Sequence, residues 1–223
     1  MTTAVRTRAA VPVCEHCAGP LPVLARSVAR FCSNACRQAA YRARRRAEQT
    51  RLAGEQAARV PVELTGRARW VRYSPKKVPL RTDGKFASVT DPSSWSDYAA
   101  AVGSTSGEGV GFVLTASDSI VVVDLDHAVN DGVLLPWAQR ALEALPATYM
   151  ERGRSGTGLH LWFRGSVPAG RRIRHGEQAI EVYSDRRYII VGDRVAGTPL
   201  ELAELPASQV AALLNAEKGR GDG

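Results

Sequence analysis

Short apolar segments separated by turn residues fill the chain after residue 60, and several alternate apolar and polar side chains with the period of two that predicts β-strands. The segment SIVVVDLD at 119–126 is apolar on both faces, which predicts a strand in the middle of a sheet. Further strands are predicted at 69–73, at 109–115, near 149, at 159–164, and as a pair at 180–184 and 187–191.

Helices are predicted between and after these strands, and no internal repeat occurs. They cover residues 94–102, 135–145 and 199–216. Short strands with interspersed helices predict an α+β domain built on a mainly antiparallel sheet.

A different pattern begins the chain. Ser33 or Asn34 can cap a helix that runs to about Ala58, and few large apolar residues are available to bury one of its faces. The helix is therefore expected to be largely solvated or bound to a partner, either as a charged linker or in contact with a phosphate backbone. Four of its arginines lie close together in the sequence: Arg42, Arg44, Arg45 and Arg46.

All four cysteines precede residue 37, as Cys14-x2-Cys17 and Cys32-x3-Cys36 separated by 14 residues. Two close pairs of thiolates suit the tetrahedral coordination of zinc, whereas two disulfides would constrain only one end of the chain. The spacing predicts a structural zinc site. A zinc module directly before an arginine-rich helix favours a nucleic-acid partner for that helix.

Charge follows the same division of the chain. The protein has 30 Lys and Arg against 22 Asp and Glu, a net charge of +8, and residues 1–60 contain 11 arginines and only 3 acidic residues. The excess therefore lies in a basic module suited to a polyanion, joined to a neutral domain. No apolar run is long enough for a membrane span or a signal peptide, so a cytoplasmic protein without a membrane partner is expected.

Three groups of residues in the neutral domain suggest phosphoryl chemistry. Asp124 and Asp126 lie two apart at the end of the most apolar strand and share a face, which suits one or two Mg²⁺ or Mn²⁺ ions. Such a D-x-D motif also holds metal–nucleotides in glycosyltransferases. Ser155, Gly158 and His160 lie in SGTGLH, where small residues before a strand can offer backbone N–H groups to phosphate; the alternative is a plain hairpin turn with a surface histidine.

Glu181 is the third group, because a carboxylate inside an apolar strand is unusual without a partner. It can complete the metal site of Asp124 and Asp126 or orient it, and Arg187 nearby can neutralise phosphate. The alternative is a solvated strand face with an Arg–Glu cross-strand pair.

The order of these motifs, an apolar strand with DLD, then SGTGLH, then EVY with RY, resembles the archaeo-eukaryotic primase superfamily. It is most similar to the bifunctional DNA primase/polymerase domains of phages and mobile elements. The lead-in KKVP…DG…ASVTDPSSW and GVGFVLT is similar as well, so the resemblance covers about residues 68–195. It implies an RRM-like sheet and template-dependent nucleotide transfer on single-stranded DNA, with nucleoside triphosphates as substrates.

By this resemblance, Asp124, Asp126 and Glu181 bind the catalytic magnesium or manganese. His160, with Ser155 and Gly158, holds the phosphates of the incoming nucleotide, and Arg187 with Lys77 or Lys85 contacts phosphate or template. No G-x4-G-K-[ST] motif occurs, so a separate replicative helicase is expected as a partner.

The predicted organisation has three parts: a four-cysteine zinc module with the arginine-rich helix at 1–60, the catalytic domain at 61–205, and a C-terminal helix with a frayed tail at 206–223. The main alternative function is a non-catalytic DNA-binding replication factor with the same fold. A nucleotide-sugar transferase and a metal-dependent nuclease are further alternatives.

Overall fold

The computed structural model describes residues 12–22, 28–57, 59–175 and 177–218. The chain divides into two compact units at residue 51. Within the described ranges, no helix combines the length and the apolar character needed to cross a membrane.

The first unit contains the cysteine loops and most of the first helix, α1 (Asn34–Ala57). A tight turn carries the first cysteine pair, in which the amide of Cys14 donates to the carbonyl of Gly19 at 2.8 Å. Ser33 caps α1 by accepting a hydrogen bond from the amide of Cys36 at 3.1 Å, as the sequence predicts. Residues 41–48 are all exposed, so this part of α1 has no buried face within its unit.

The second unit alternates strands with short helices. The other helices are α2 (Val62–Thr65), α3 (Tyr98–Gly103), α4 (Pro136–Glu143) and α5 (Ala207–Lys218). The strands up to the D-x-D motif are β1 (Trp70–Tyr73), β2 (Pro79–Leu80), β3 (Gly109–Leu114) and β4 (Ile120–Asp126). The remaining strands are β5 (Val129–Asn130), β6 (Val133–Leu134), β7 (Tyr149–Arg152), β8 (Leu159–Arg164), β9 (Arg171–His175), β10 (Gln178–Tyr183), β11 (Arg187–Ile190), β12 (Asp193–Arg194) and β13 (Ala203–Glu204).

Two sheets form the body of this unit. The smaller has the order β11-β3-β1-β2, and the larger has the order β12-β7-β8-β4-β10-β9, with β13 added in parallel to β8. All other pairings in these two sheets are antiparallel. The four strands β7-β8-β4-β10, with α4 connecting β4 to β7, have the arrangement of an RRM-like sheet.

The predicted strands at 180–184 and 187–191 exist, but the prediction that they pair is wrong. β10 pairs with β4 and β9 in the large sheet, whereas β11 pairs with β3 in the small one. The turn between them therefore carries the chain from one sheet to the other. β9 was not predicted, because its arginine-rich segment RRIRH has little apolar character.

Two helix predictions also need correction. The segment predicted as one helix at 94–102 is a 3₁₀ turn at Pro92–Ser94 followed by α3, because Asp91 and Asp97 each cap a separate start. The helix predicted at 199–216 is α5, which begins only after the short strand β13.

Both faces of the large sheet are covered, which explains why β4 is apolar on both sides. One face packs on α4 and α5 through residues such as Trp137 and Leu213, opposite Val123 and Leu161. The other face packs on the small sheet, where the rings of Phe112 and Trp162 meet edge to face at 5.8 Å. On this second face, the apolar side chains give way to ionisable ones toward one end of the strands, and the candidate site lies there.

Candidate active site

A row of ionisable side chains crosses the large sheet. In the antiparallel registers, Glu181 of β10 lies opposite Asp124 of β4, and Asp124 lies opposite His160 of β8. His160 lies opposite Glu151 of β7, and Arg172 of β9 lies opposite Glu181 at the other end. Directly opposed residues share a face and have Cβ atoms about 4.5–5.5 Å apart. The register therefore brings five ionisable residues from five strands side by side.

The neighbouring row, one side-chain repeat along the strands, is aromatic and apolar. It consists of Tyr183, Val122, Trp162 and Tyr149, which oppose one another in the same registers. Val122, Trp162 and Tyr149 have no exposed surface. The ionisable row therefore lies directly next to the core between the sheets, which accounts for the burial of Glu151 and Glu181 and the low exposure of His160 and Asp124; Arg172, at the end of the row, is exposed.

A cavity of about 580 Å³ opens beside this row. The residues predicted from the sequence to bind metal or nucleotide in this domain all line it: Asp124, Asp126, Ser155, Gly158, His160, Glu181 and Arg187. Four further basic residues line it as well: Lys77, Arg154, Arg172 and Arg186. Of the two lysines suggested by the resemblance, Lys77 thus reaches the cavity. Lys85 does not line it; its ammonium is exposed and lies 3.9 Å from Asp83 Oδ2.

The carboxylates of Asp124, Asp126 and Glu181 can each offer an oxygen within 4.8 Å of the others. The pKa of Asp124 is raised to about 6, mainly by burial and also by the carboxylates of Asp126 and Glu181, although the charges of His160 and Arg187 act to lower it. Asp124 Oδ1 is buried without a hydrogen-bond partner. Hard oxygen ligands with an unsatisfied carboxylate oxygen among them fit Mg²⁺ or Mn²⁺.

Glu181 has protein partners in addition. Its Oε1 lies 2.5 Å from Arg172 Nε, and its Oε2 accepts a hydrogen bond from Tyr183 at 2.7 Å and lies 3.7 Å from Arg187. The cross-strand Arg–Glu pair considered from the sequence is thus present, formed by Arg172. The face is not solvated, however, because Glu181 is only 5% exposed.

His160 lies between two carboxylates, with Nε2 3.7 Å from Asp124 Oδ1 and Nδ1 3.9 Å from Glu151 Oε2. Burial lowers the pKa of His160, but the carboxylates of Glu151, Asp124 and Asp126 outweigh it and raise the pKa above its ordinary value. A histidine held toward its charged form faces the cavity and suits the negative charge of a phosphate.

Glu151 and Arg172 were missed from the sequence. Glu151 has no exposed surface, its Oε2 accepts a hydrogen bond from the amide of Gly192 at 2.5 Å, and burial raises its pKa. The burial of Glu151 could have been predicted in part from the sequence. Glu151 lies two residues after Tyr149 in a predicted strand and therefore on the same face as that aromatic side chain.

The SGTGLH loop forms a compact turn against the end of β4. The amide of Gly153 donates to the carbonyl of Gly158 at 2.9 Å, and Gly156 has the positive φ of +78° that favours glycine. A Cβ atom at Gly158 would lie 3.4 Å from the carbonyl oxygen of Leu125 and 4.0 Å from Asp126 Oδ1. These distances are ordinary van der Waals contacts, so the backbone at Gly158 lies directly against the end of β4 and beside Asp126.

The four cysteines form a second cluster, in the first unit. Cys32 Sγ lies 3.6 Å from Cys17 Sγ and 3.5 Å from Cys36 Sγ, and all four sulfurs can lie within 4.8 Å of one another. Sulfurs bound to one zinc at about 2.3 Å are separated by about 3.8 Å, so the cluster fits this ion. Backbone N–H groups of Cys17 and Cys32 lower the pKa of the Cys14 thiol to about 6, which favours the thiolate that a metal needs.

An α+β domain with clustered carboxylates beside a basic cavity has the features of metal-dependent phosphoryl-transfer enzymes. Residues 32–212 match the family described as bifunctional DNA primase/polymerase, N-terminal, and the chain belongs to this family. The family assignment confirms the resemblance inferred from the motifs and the predicted α+β fold.

A similar protein is the DNA Primase-polymerase of Nitratiruptor phage NrS-1. It is 34% identical to this chain over 150 residues, which are 62% of this chain and 20% of the phage protein. The chain thus spans about a fifth of the length of this relative.

Proposed function

We propose that this chain carries the catalytic domain of a DNA primase/polymerase that makes or extends primers on single-stranded DNA. Its substrates are nucleoside triphosphates, and its chemistry is template-dependent nucleotidyl transfer. The observation that carries the proposal is the cross-strand row in which Glu181, Asp124 and His160 are direct neighbours. That register joins a set of metal-ligating carboxylates to a basic residue suited to phosphate.

Asp124, Asp126 and Glu181 would hold magnesium or manganese, and the bound ion would lower the pKa of the primer 3′-hydroxyl and offset the charge of the triphosphate. His160 and Arg187, which lie beside these carboxylates, bind the phosphates, and the loop at Ser155–Gly158 offers them backbone N–H groups. The 3′-oxygen bonds to the α-phosphorus, the bond from that phosphorus to the bridging oxygen breaks, and pyrophosphate leaves. The hydroxyl proton passes to solvent.

The first unit holds the template. Zinc on Cys14, Cys17, Cys32 and Cys36 orders the loops at the start of α1, and the exposed arginines at 42 and 44–46 contact phosphates of the strand. We propose a role in phage or mobile-element replication, with strand opening by a separate helicase.

The test is nucleotide incorporation on a single-stranded DNA template by the purified chain, with Mg²⁺ or Mn²⁺ and with each nucleotide set. The proposal predicts synthesis that is lost in the double variant Asp124→Asn with Asp126→Asn and kept in the exposed control Asp193→Asn. Undiminished synthesis by the double variant would refute it. Metal-independent DNA binding without synthesis would instead favour the non-catalytic factor.

A further inference from the structure

An exposed phenyl ring lies on the hairpin that follows β1. Residues 74–89, here called the basic hairpin, fold back at β2, where Leu80 bridges Phe86 and the amide of Ala87 donates to the carbonyl of Pro79 at 3.0 Å. Phe86 is nevertheless 79% exposed. Both faces of the ring are therefore open to solvent and available for stacking by a ligand.

The basic hairpin is well ordered by contacts with the rest of its unit. The hydroxyls of Ser104 and Ser106 donate to the carbonyl of Thr82 at 2.8 and 3.0 Å, and Tyr188 donates a hydrogen bond to the carbonyl of Lys77. The ring of Phe86 is thus presented from a fixed scaffold, and a ligand that stacks on it does not have to order a loose loop.

The hairpin that carries the ring has an excess of positive charge. The basic hairpin contains one acidic residue, Asp83, which lies 3.5 Å from Arg81 Nε and 3.9 Å from Lys85 Nζ. Lys76 and Lys77 are exposed, and neither forms an ion pair with any carboxylate in the described part of the chain. The four cations of the hairpin are Lys76, Lys77, Arg81 and Lys85. This surface is therefore complementary to a polyanion that also has an aromatic face.

The same surface is continuous with the catalytic cavity. Lys77, Pro79 and Val89 line that cavity, and Pro79 is the backbone partner of Ala87, the residue next to Phe86. A strand with one nucleotide in the cavity therefore has its next nucleotides within reach of the lysines and the phenyl ring.

We propose that the basic hairpin is a binding surface for single-stranded DNA, in which Phe86 stacks on a base while Lys76 and Lys77 contact phosphates. The single strand is the occupant because bases in a duplex are already stacked on one another and offer no face to the ring. The inference deepens the proposed function, since it assigns the template strand a path beside the carboxylates.

The test is the affinity of the full chain for a fluorescent single-stranded oligonucleotide, measured without nucleotides or divalent ions. Phe86→Ala is expected to weaken binding about 5- to 100-fold, as loss of one aromatic–base stack does, while Phe86→Trp keeps wild-type affinity. Val133→Ala, which shortens another exposed side chain, is the matched control. Lys76→Ala should reduce the steepness of the plot of log affinity against log salt concentration by about one, because one phosphate contact is lost. Phe86→Ala should leave the steepness unchanged.

Wild-type affinity in Phe86→Ala, or an equal loss for single-stranded and duplex DNA, would overturn the inference. Because binding is measured without synthesis, the two proposals can fail separately. If the chain makes primers and Phe86→Ala binds single strands with wild-type affinity, the proposed function stands and the proposal of this binding surface fails. If the chain makes no primers but Phe86→Ala weakens its binding of single strands, the binding surface stands and the proposed function fails.

Discussion

Replacing Asp124 by asparagine tests whether this carboxylate is kept at a cost in stability for the sake of a metal ion. The side chain is 18% exposed, and its Oδ1 is buried without a hydrogen-bond partner. Asparagine has nearly the same shape and no charge. We therefore expect Asp124→Asn to stabilise the metal-free protein while removing metal binding, the trade-off that functional sites often show.

The magnitude follows from the pKa. Burial raises the pKa of Asp124 from 3.8 to about 6, which corresponds to about 3 kcal/mol between its two protonation states. Because the folded state binds this proton more tightly than the unfolded state, the ionised carboxylate lowers the free energy of unfolding above pH 6. Below the unfolded pKa of 3.8 both states are protonated and the penalty disappears. Asp124→Asn should therefore be more stable than wild type by up to about 3 kcal/mol at pH 8, and the difference should fall to about 0.6 kcal/mol at pH 4.

The assay is urea denaturation from pH 4 to pH 8 in magnesium-free buffer without a chelator, so that the cysteine site is undisturbed. Asp193→Asn, at an exposed position, should change the stability by less than about 0.5 kcal/mol. Added Mn²⁺ should stabilise the wild type in proportion to the logarithm of its concentration and leave Asp124→Asn unchanged. A variant that is no more stable than wild type at pH 8, or a gain that is the same at pH 4 as at pH 8, would refute the reasoning.

Two further changes test the candidate active site, and a third tests the cysteine cluster of the first unit. Glu151→Gln should lower the pKa of His160, because it removes a carboxylate that raises this pKa. The pKa of the imidazole can be measured by NMR titration, and an unchanged value would contradict the pairing of His160 with Glu151. His160→Ala should raise the KM for nucleotide about tenfold or more with little change in Mn²⁺ affinity, whereas a parallel loss of Mn²⁺ would make the residue part of the metal site. Cys32→Ala removes the thiol that lies nearest to two of the others, so elemental analysis should find the zinc lost, against one equivalent in wild type.

The strands and the candidate residues could be predicted from the sequence because both depend on local patterns. The apolar run at 119–126 predicts a central strand, and the period of two places Asp124 and Asp126 on one face. In the same way, the spacing of the cysteines predicts their cluster in space. These features need only a few neighbouring residues.

The partners across the sheets could not be predicted, since sheet order depends on contacts that are distant in sequence. β10 and β11 are separated by a short turn and still belong to different sheets, because Tyr183 and Ile189 pack from opposite sides of the core between them. The pairs of Glu181 with Arg172 and of His160 with Glu151 follow from those registers.

The register of the ionisable row also explains how a domain with no net charge can bind an anionic substrate. Along the row, Arg172 is followed by the carboxylates of Glu181 and Asp124, then by His160 and the carboxylate of Glu151. Opposite charges alternate except at one place, where Glu181 and Asp124 are direct neighbours without a cation between them. Like charges in a poorly solvated place repel, and Glu181 contributes to the raised pKa of Asp124. A divalent cation would therefore gain most beside Glu181 and Asp124, and an ion held there would add positive charge to the wall of the cavity.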